Sequence, residues 1–146
     1  IYGMMAHALA ISLLFLLAGT IDKVYGTLFI DKLKGIIETS PKITYLFIFG
    51  ALAAIGLPLT AGFIGDLLIF IGSYSAFGAI GLIPIGAILL VGAYFFWVIE
   101  KSFLNIKNKS ENYALVGRSV LVSGGVLVVL AIALGVIPVL LSFSTL

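Results

Sequence analysis

All eight lysines and arginines of the chain, Lys23, Lys32, Lys34, Lys42, Lys101, Lys107, Lys109 and Arg118, fall in two polar segments, 22–42 and 101–118. The sequence around and between these segments is almost continuous hydrocarbon. Of the residues, 62% are hydrophobic and only 10% are charged, where a soluble domain has roughly 25% charged. The polar residues that would cover a soluble fold are missing. Apolar runs recur along the whole length, and the environment that suits them is a bilayer.

A hydrocarbon core takes about 20 residues of helix at about 1.5 Å each. Residues 1–21 form one adequate span, 82–103 a second and 118–138 a third. Between Pro41 and residue 75 lie two apolar pieces, 43–56 and 63–75, joined by "LPLTAG". Each gives roughly 20 Å of helix and neither crosses alone; together they make one crossing, 43–75, broken at 57–62. The expected fold is all-α, a polytopic membrane helix bundle of four spans with the second one discontinuous, forming a single transmembrane domain.

Charge placement tests that partition. With four crossings, loops 22–42 and 101–118 lie on the same side, which then carries every basic residue and is cytoplasmic by the positive-inside rule. With five crossings, four basic residues would lie on each face. Tyr94 and Trp97 suit an interfacial belt, Glu100 and Lys101 mark a membrane boundary, and Gly124 and Gly125 suit close helix packing. The chain begins at Ile1 with no positive n-region ahead of the first apolar run, so that run does not read as a signal peptide. A start other than methionine suggests a fragment, a processed product or an incompletely numbered subunit.

Within these 146 residues there is no cysteine and one histidine, which leaves out thiol chemistry and gives no metal site. The chemistry that remains is in "GLPLTAGFIGD", residues 56–66. Breaking a helix inside hydrocarbon leaves backbone groups without partners, so the break implies a protected and hydrated interior. Pro58 supplies no amide and disfavours helix at Leu57, while Gly56 and Gly62 permit unusual dihedrals. Freed backbone groups, with Thr60, are expected to hold water.

Asp66 is the one charged residue that reaches no polar loop, about 13 Å of helix from the outer turn. An acid at that depth costs on the order of 2.5–3.5 kcal/mol on the insertion scale. It should face the bundle interior, where it has a partner or takes up a proton. An acid that holds a proton when desolvated and gives it up to an approaching cation is what a relay requires. The alternative is a permanently protonated, structural hydrogen-bonding group. His7, about 22 Å from Asp22 along the first helix, carries an imidazole, the side-chain type suited to proton exchange. A lone histidine in a span also serves simply as a packing residue, and the sequence alone does not show that it reaches Asp66.

"MAHALAISLLFLLAG", a polar loop, a proline, an apolar run and "GLPLTAGFIGDLLIF" together resemble the C-terminal part of an antiporter-like membrane subunit. Such subunits occur in respiratory complex I, in Mrp-type multisubunit sodium/proton antiporters and in energy-converting membrane hydrogenases or sulfur reductases. The resemblance covers nearly the whole chain. It implies two inverted five-helix repeats, each with a discontinuous helix, and a row of buried ionisable groups carrying protons along mid-membrane. Asp66 takes the place where the family has lysine or glutamate on its second broken helix, and His7 matches a histidine on the preceding helix of some members. Aspartate is shorter than glutamate and opposite in charge to lysine, and the first repeat is absent from these residues.

The resemblance implies cation translocation, of protons or sodium, within a redox-driven pump or antiporter. The relay would be Asp66 and His7, and Gly56, Pro58, Thr60 and Gly62 would form the hydrated break. The chain is expected to hold no cofactor, metal or catalytic redox site of its own and to act as a membrane subunit of an oxidoreductase complex. Its expected partners are other membrane subunits, one of which supplies the missing helices if the gene is split, and the lipid bilayer, with no nucleic acid. A prokaryotic plasma membrane is its expected location. The rival readings are a non-conducting structural subunit and a secondary transporter for a small solute.

Overall fold

The computed structural model describes residues 2–105 and 116–144, with side chains as far as Pro138 in the second stretch. Lys107 and Lys109 fall outside it. The chain is an all-helical membrane bundle. Its first helix, α1 (Tyr2–Tyr25), ends at Gly26, which has φ +68 and donates its amide to the Asp22 carbonyl at 2.8 Å. A left-handed glycine after the last turn is a common helix stop. The polar segment then holds a single turn, α2 (Ile36–Thr39), and Pro41 opens α3 (Pro41–Ala54) at a position where its missing amide costs nothing.

The helix break is present. It runs from Ile55 to Thr60, about two residues earlier than the sequence suggests, because "GLP" ends the first piece in an orderly way. The Leu57 amide reaches back to the Leu52 carbonyl at 2.9 Å and the Gly56 amide to the Ala53 carbonyl at 3.3 Å, with Gly56 at φ +78. This is a Schellman termination, and Pro58 follows where the chain can no longer be helical. Gly62 therefore lies in the first turn of α4 (Ala61–Phe77) and not in the link.

At Gly78, φ +61, α4 stops and a 3-10 turn (Gly78–Leu82) leads into α5 (Ile83–Val98), which winds more loosely as a π segment through Ile99–Leu104. Gly81 lies directly against the Ser73 backbone, an approach closed to any side chain. The last helix, α6 (Arg118–Ser144), carries Pro138 inside it.

Among the described residues, three stretches are long and apolar enough to cross a membrane, Tyr2–Tyr25, Ala61–Leu104 and Arg118–Pro138, and Pro41–Ala54 is a shorter apolar helix. The 44 residues of Ala61–Leu104 would extend about 66 Å if straight, more than twice a hydrocarbon core; the Gly78 turn divides them. α1 sits at the centre, packed on α3, α6 and α4, while α5 buries none of its residues within the chain.

Packing differs between the two ends of the bundle. At the end bearing the polar loop, large side chains fill the core: Leu13, Leu17, Ile21, Ile36, Ile43 and Phe103, with Phe47 stacked on Phe103 at 4.5 Å between ring centres. The Tyr25 hydroxyl lies 2.5 Å from Thr39 Oγ1 and 3.1 Å from Ser40 Oγ there, tying α1 to the start of α3. At the other end the buried residues are small, among them Ala6, Ala53, Ala61, Gly65, Ala131 and Gly135. Small residues allow helix backbones to touch, and in lipid that contact replaces the hydrophobic drive of a soluble core. Gly124 instead makes room for the Leu46 and Leu13 side chains, whereas Gly125 has nothing within 4 Å.

Candidate functional site

The break, α1 and α4 meet around a cavity of about 200 Å³ lined by Gly3, His7, Ala53, Gly62, Asp66 and Ile69, with Ala54 beside them. Among the described residues, His7 and Asp66 are its only acid or base, so the structure brings together the two ionisable residues singled out from the sequence. They arrive there by helical spacing. Gly3 and His7 are one turn apart on α1, and Gly62, Asp66 and Ile69 follow at intervals of four and three on α4.

Asp66 is half-buried, and its carboxyl group rests against Gly56, where any side chain on Gly56 would displace it. Gly62 is under similar constraint, since a methyl group there would come within 2.6 Å of the Ala53 carbonyl oxygen. The acid thus faces the C-terminal turn of α3, the negative end of that helix dipole. His7 is exposed within the chain. Beside it an open groove of about 590 Å³ shares Gly3, His7 and Ile69 and is otherwise mostly apolar.

The link satisfies more of its own backbone than the sequence suggests. The Leu52 and Ala53 carbonyls are taken by the Schellman pair, and the Leu57 carbonyl accepts from the Thr60 amide at 3.0 Å and the Thr60 hydroxyl at 2.7 Å. Thr60 is 1% exposed and does not line the cavity; its role is to close the turn. Pro58 is exposed and lies off the cavity too. Leu59 takes φ +76, a left-handed conformation that costs a branched residue about 1–2 kcal/mol.

α6 supports the link from outside: Gly135 lies directly against the Leu59 carbonyl, and a methyl group on it would come within 2.8 Å of the Ala61 amide nitrogen. One residue earlier, the Leu134 carbonyl accepts a hydrogen bond from the Tyr2 hydroxyl. Gly3, Gly65, Ile69 and Gly135 were not singled out from the sequence as site residues. The three- and four-residue spacing of Gly62, Gly65, Asp66 and Ile69 along α4 was the available signal for Gly65 and Ile69, and the four-residue spacing to His7 along α1 was the signal for Gly3. Gly135 had none, because small residues are common in membrane helices.

The described residues thus define a polytopic helical membrane bundle in which the break between two helices places an acid and a histidine at one cavity. Residues 1–91 match the family described as NADH:quinone oxidoreductase/Mrp antiporter, TM, and the chain belongs to that family. It is 28% identical over 104 residues to the F(420)H(2) dehydrogenase subunit M of Methanosarcina mazei, covering 71% of this chain and 21% of that one. It is 32% identical over 124 residues to the chloroplastic NAD(P)H-quinone oxidoreductase chain 4 of Chaetosphaeridium globosum, covering 80% of this chain and 24% of the relative. With the NADH-quinone oxidoreductase subunit M of Rickettsia prowazekii it shares 36% over 100 residues, 64% of this chain and 20% of that subunit. The chain thus spans between 20% and 24% of the length of these curated relatives.

Proposed function

We propose that this chain is the part of an antiporter-like subunit that passes cations, protons in the first instance, through Asp66 and His7 at the break between α3 and α4. The observation that carries the reading is the shared cavity: one carboxyl and one imidazole face the same space in a membrane bundle of this family. A carboxyl and an imidazole can exchange a proton without changing the net charge of the pair: the neutral pair becomes a carboxylate beside an imidazolium, two opposite charges that attract strongly in a low-dielectric interior. A cavity of about 200 Å³ is large enough for several bridging waters.

The rest of the path lies in helices beyond this chain, in a longer subunit or in a separate polypeptide, and the driving reaction belongs to partner subunits of the complex. The relatives named as dehydrogenase and oxidoreductase subunits support a redox-driven assembly. Four crossings, with 43–75 interrupted and segments 22–42 and 101–118 on the cytoplasmic face of a prokaryotic plasma membrane, complete the reading; the distribution of lysine and arginine supports that orientation.

The test is Asp66→Asn in the assembled complex in sealed vesicles. Amide for carboxyl keeps the shape and removes the exchangeable acid. Electron transfer or counter-ion exchange should then proceed with cation movement reduced at least tenfold. Full cation movement with Asn at this position would point instead to a structural subunit. Repeating the assay with sodium held constant, and then with a protonophore present, separates proton from sodium transport.

A further inference from the structure

α1 and α4 touch backbone to backbone at Gly3 and Gly65. A methyl group on Gly65 would lie 2.8 Å from the Gly3 Cα and 3.4 Å from its nitrogen, and Gly65 is buried. The contact is asymmetric. A methyl group on Gly3 would sit 3.7 Å from Ile69 Cδ1 and 3.8 Å from the Gly65 Cα, both ordinary distances. Asp66 is the next residue after Gly65, and His7 is one helical turn after Gly3. The place where the two helices meet therefore lies immediately beside the two ionisable side chains.

Aspartate reaches about 1.5 Å less far than glutamate, one carbon–carbon bond. Relieving a carbon–carbon contact of 2.8 Å to the usual 3.5–4.0 Å requires a separation of about 1 Å, comparable to that bond. Resting on the proposed relay, the geometry points to Gly65 as a positioning residue: by letting α4 lie directly on α1 at Gly3, it brings a short acid to the cavity that His7 lines. Gly65 and Asp66 are then a matched pair, a bare backbone for a short side chain. A side chain at residue 65 calls for a longer acid at 66.

The experiment compares Gly65→Ala, Asp66→Glu, the Gly65→Ala/Asp66→Glu double variant and, as a control elsewhere on α4, Gly72→Ala, whose added methyl group meets nothing within 4 Å, in the assembled complex, each normalised to the amount of complex in the membrane. Gly65→Ala should lower cation translocation at least fivefold, and the double variant should recover at least half of that loss. Gly72→Ala should remain within twofold of the unmodified protein. Rescue by a longer acid is not expected of a change that merely loosens the bundle. Translocation within twofold in Gly65→Ala, or a double variant no better than Gly65→Ala, would overturn the inference.

Should Gly65→Ala fail to assemble, Gly3→Val pushes on the contact from the other helix, and rescue by Asp66→Glu must appear there instead. Unaltered transport in Asp66→Asn would defeat the relay itself. Loss of transport in Asp66→Asn with no loss in Gly65→Ala would defeat only the positioning role.

Discussion

The Tyr2 hydroxyl donates a hydrogen bond to the Leu134 carbonyl, the carbonyl that Pro138 leaves without a helical partner. In an uninterrupted helix the amide four residues on would take that carbonyl, and proline has none. The first turn of α1 supplies the missing donor, which fastens α6 to the helix that carries His7. The end of the bundle away from the polar loop is held by this contact and by glycine packing.

Tyr2→Phe keeps the ring and removes the donor. The subunit should lose about 1 kcal/mol of stability, the usual scale for a hydrogen bond between membrane helices, read as an earlier unfolding midpoint in mixed micelles. Pro138→Ala returns an amide to Leu134, so the same Tyr2→Phe change made on that background should cost appreciably less. Equal losses in the two backgrounds would mean that the hydroxyl stabilises the protein by another route.

Gly56→Ala tests whether the acid needs the space beside the link. Alanine at φ +78 is left-handed, which costs about 1–2 kcal/mol, and its methyl group would occupy the place of the Asp66 carboxyl oxygen. Cation translocation per assembled complex should fall at least tenfold, as in Asp66→Asn. Gly26→Ala takes on a similar dihedral penalty, φ +68 with nothing within 4 Å of the added methyl, far from the cavity, and should leave translocation per complex unchanged. The two variants together separate backbone strain from displacement of the acid.

Much of this arrangement is legible in the sequence, for identifiable reasons. The break announces itself because glycine, leucine and proline in that order are the end of a helix, and Asp66 because an acid in hydrocarbon has to be accommodated. Local rules carry both. The meeting of His7 with Asp66 is not legible, since it depends on how α1 and α4 are rotated about their axes, and helical spacing within each leaves that open. The orderly closure of the link by Thr60 and the Schellman pair was readable in principle from "GLP" but was overshadowed by the expectation of freed, hydrated carbonyls. Contacts such as Gly135 on the link are invisible because their signature is the lack of a side chain.

Phe103→Ala addresses the opposite end of the bundle. Phe103 is 1% exposed and stacked on Phe47, and truncating a buried phenylalanine costs about 3–5 kcal/mol. The amount of assembled subunit should fall and its unfolding midpoint should drop. The complexes that do assemble should translocate at close to the usual rate, because this core lies apart from the cavity of His7 and Asp66. A large loss of rate per complex would show that the two ends of the bundle are coupled.

Gly135→Val probes the support that α6 gives the break. The glycine lies directly against the Leu59 carbonyl, and a methyl group added to it would come within 2.8 Å of the Ala61 nitrogen; valine adds two carbons more in the same direction. Either α6 withdraws, which strains the bond between Tyr2 and Leu134, or the link shifts toward the cavity. Overpacking of this kind costs about 1–3 kcal/mol. Because Leu59 already sits in a left-handed conformation, the link is the part less able to absorb the change, and α6 should give way first. Combining Gly135→Val with Tyr2→Phe should therefore cost less than the sum of the two separate changes, measured as unfolding midpoints in mixed micelles. Additive losses would place the displacement in the link instead, and cation movement per complex should then fall together with stability.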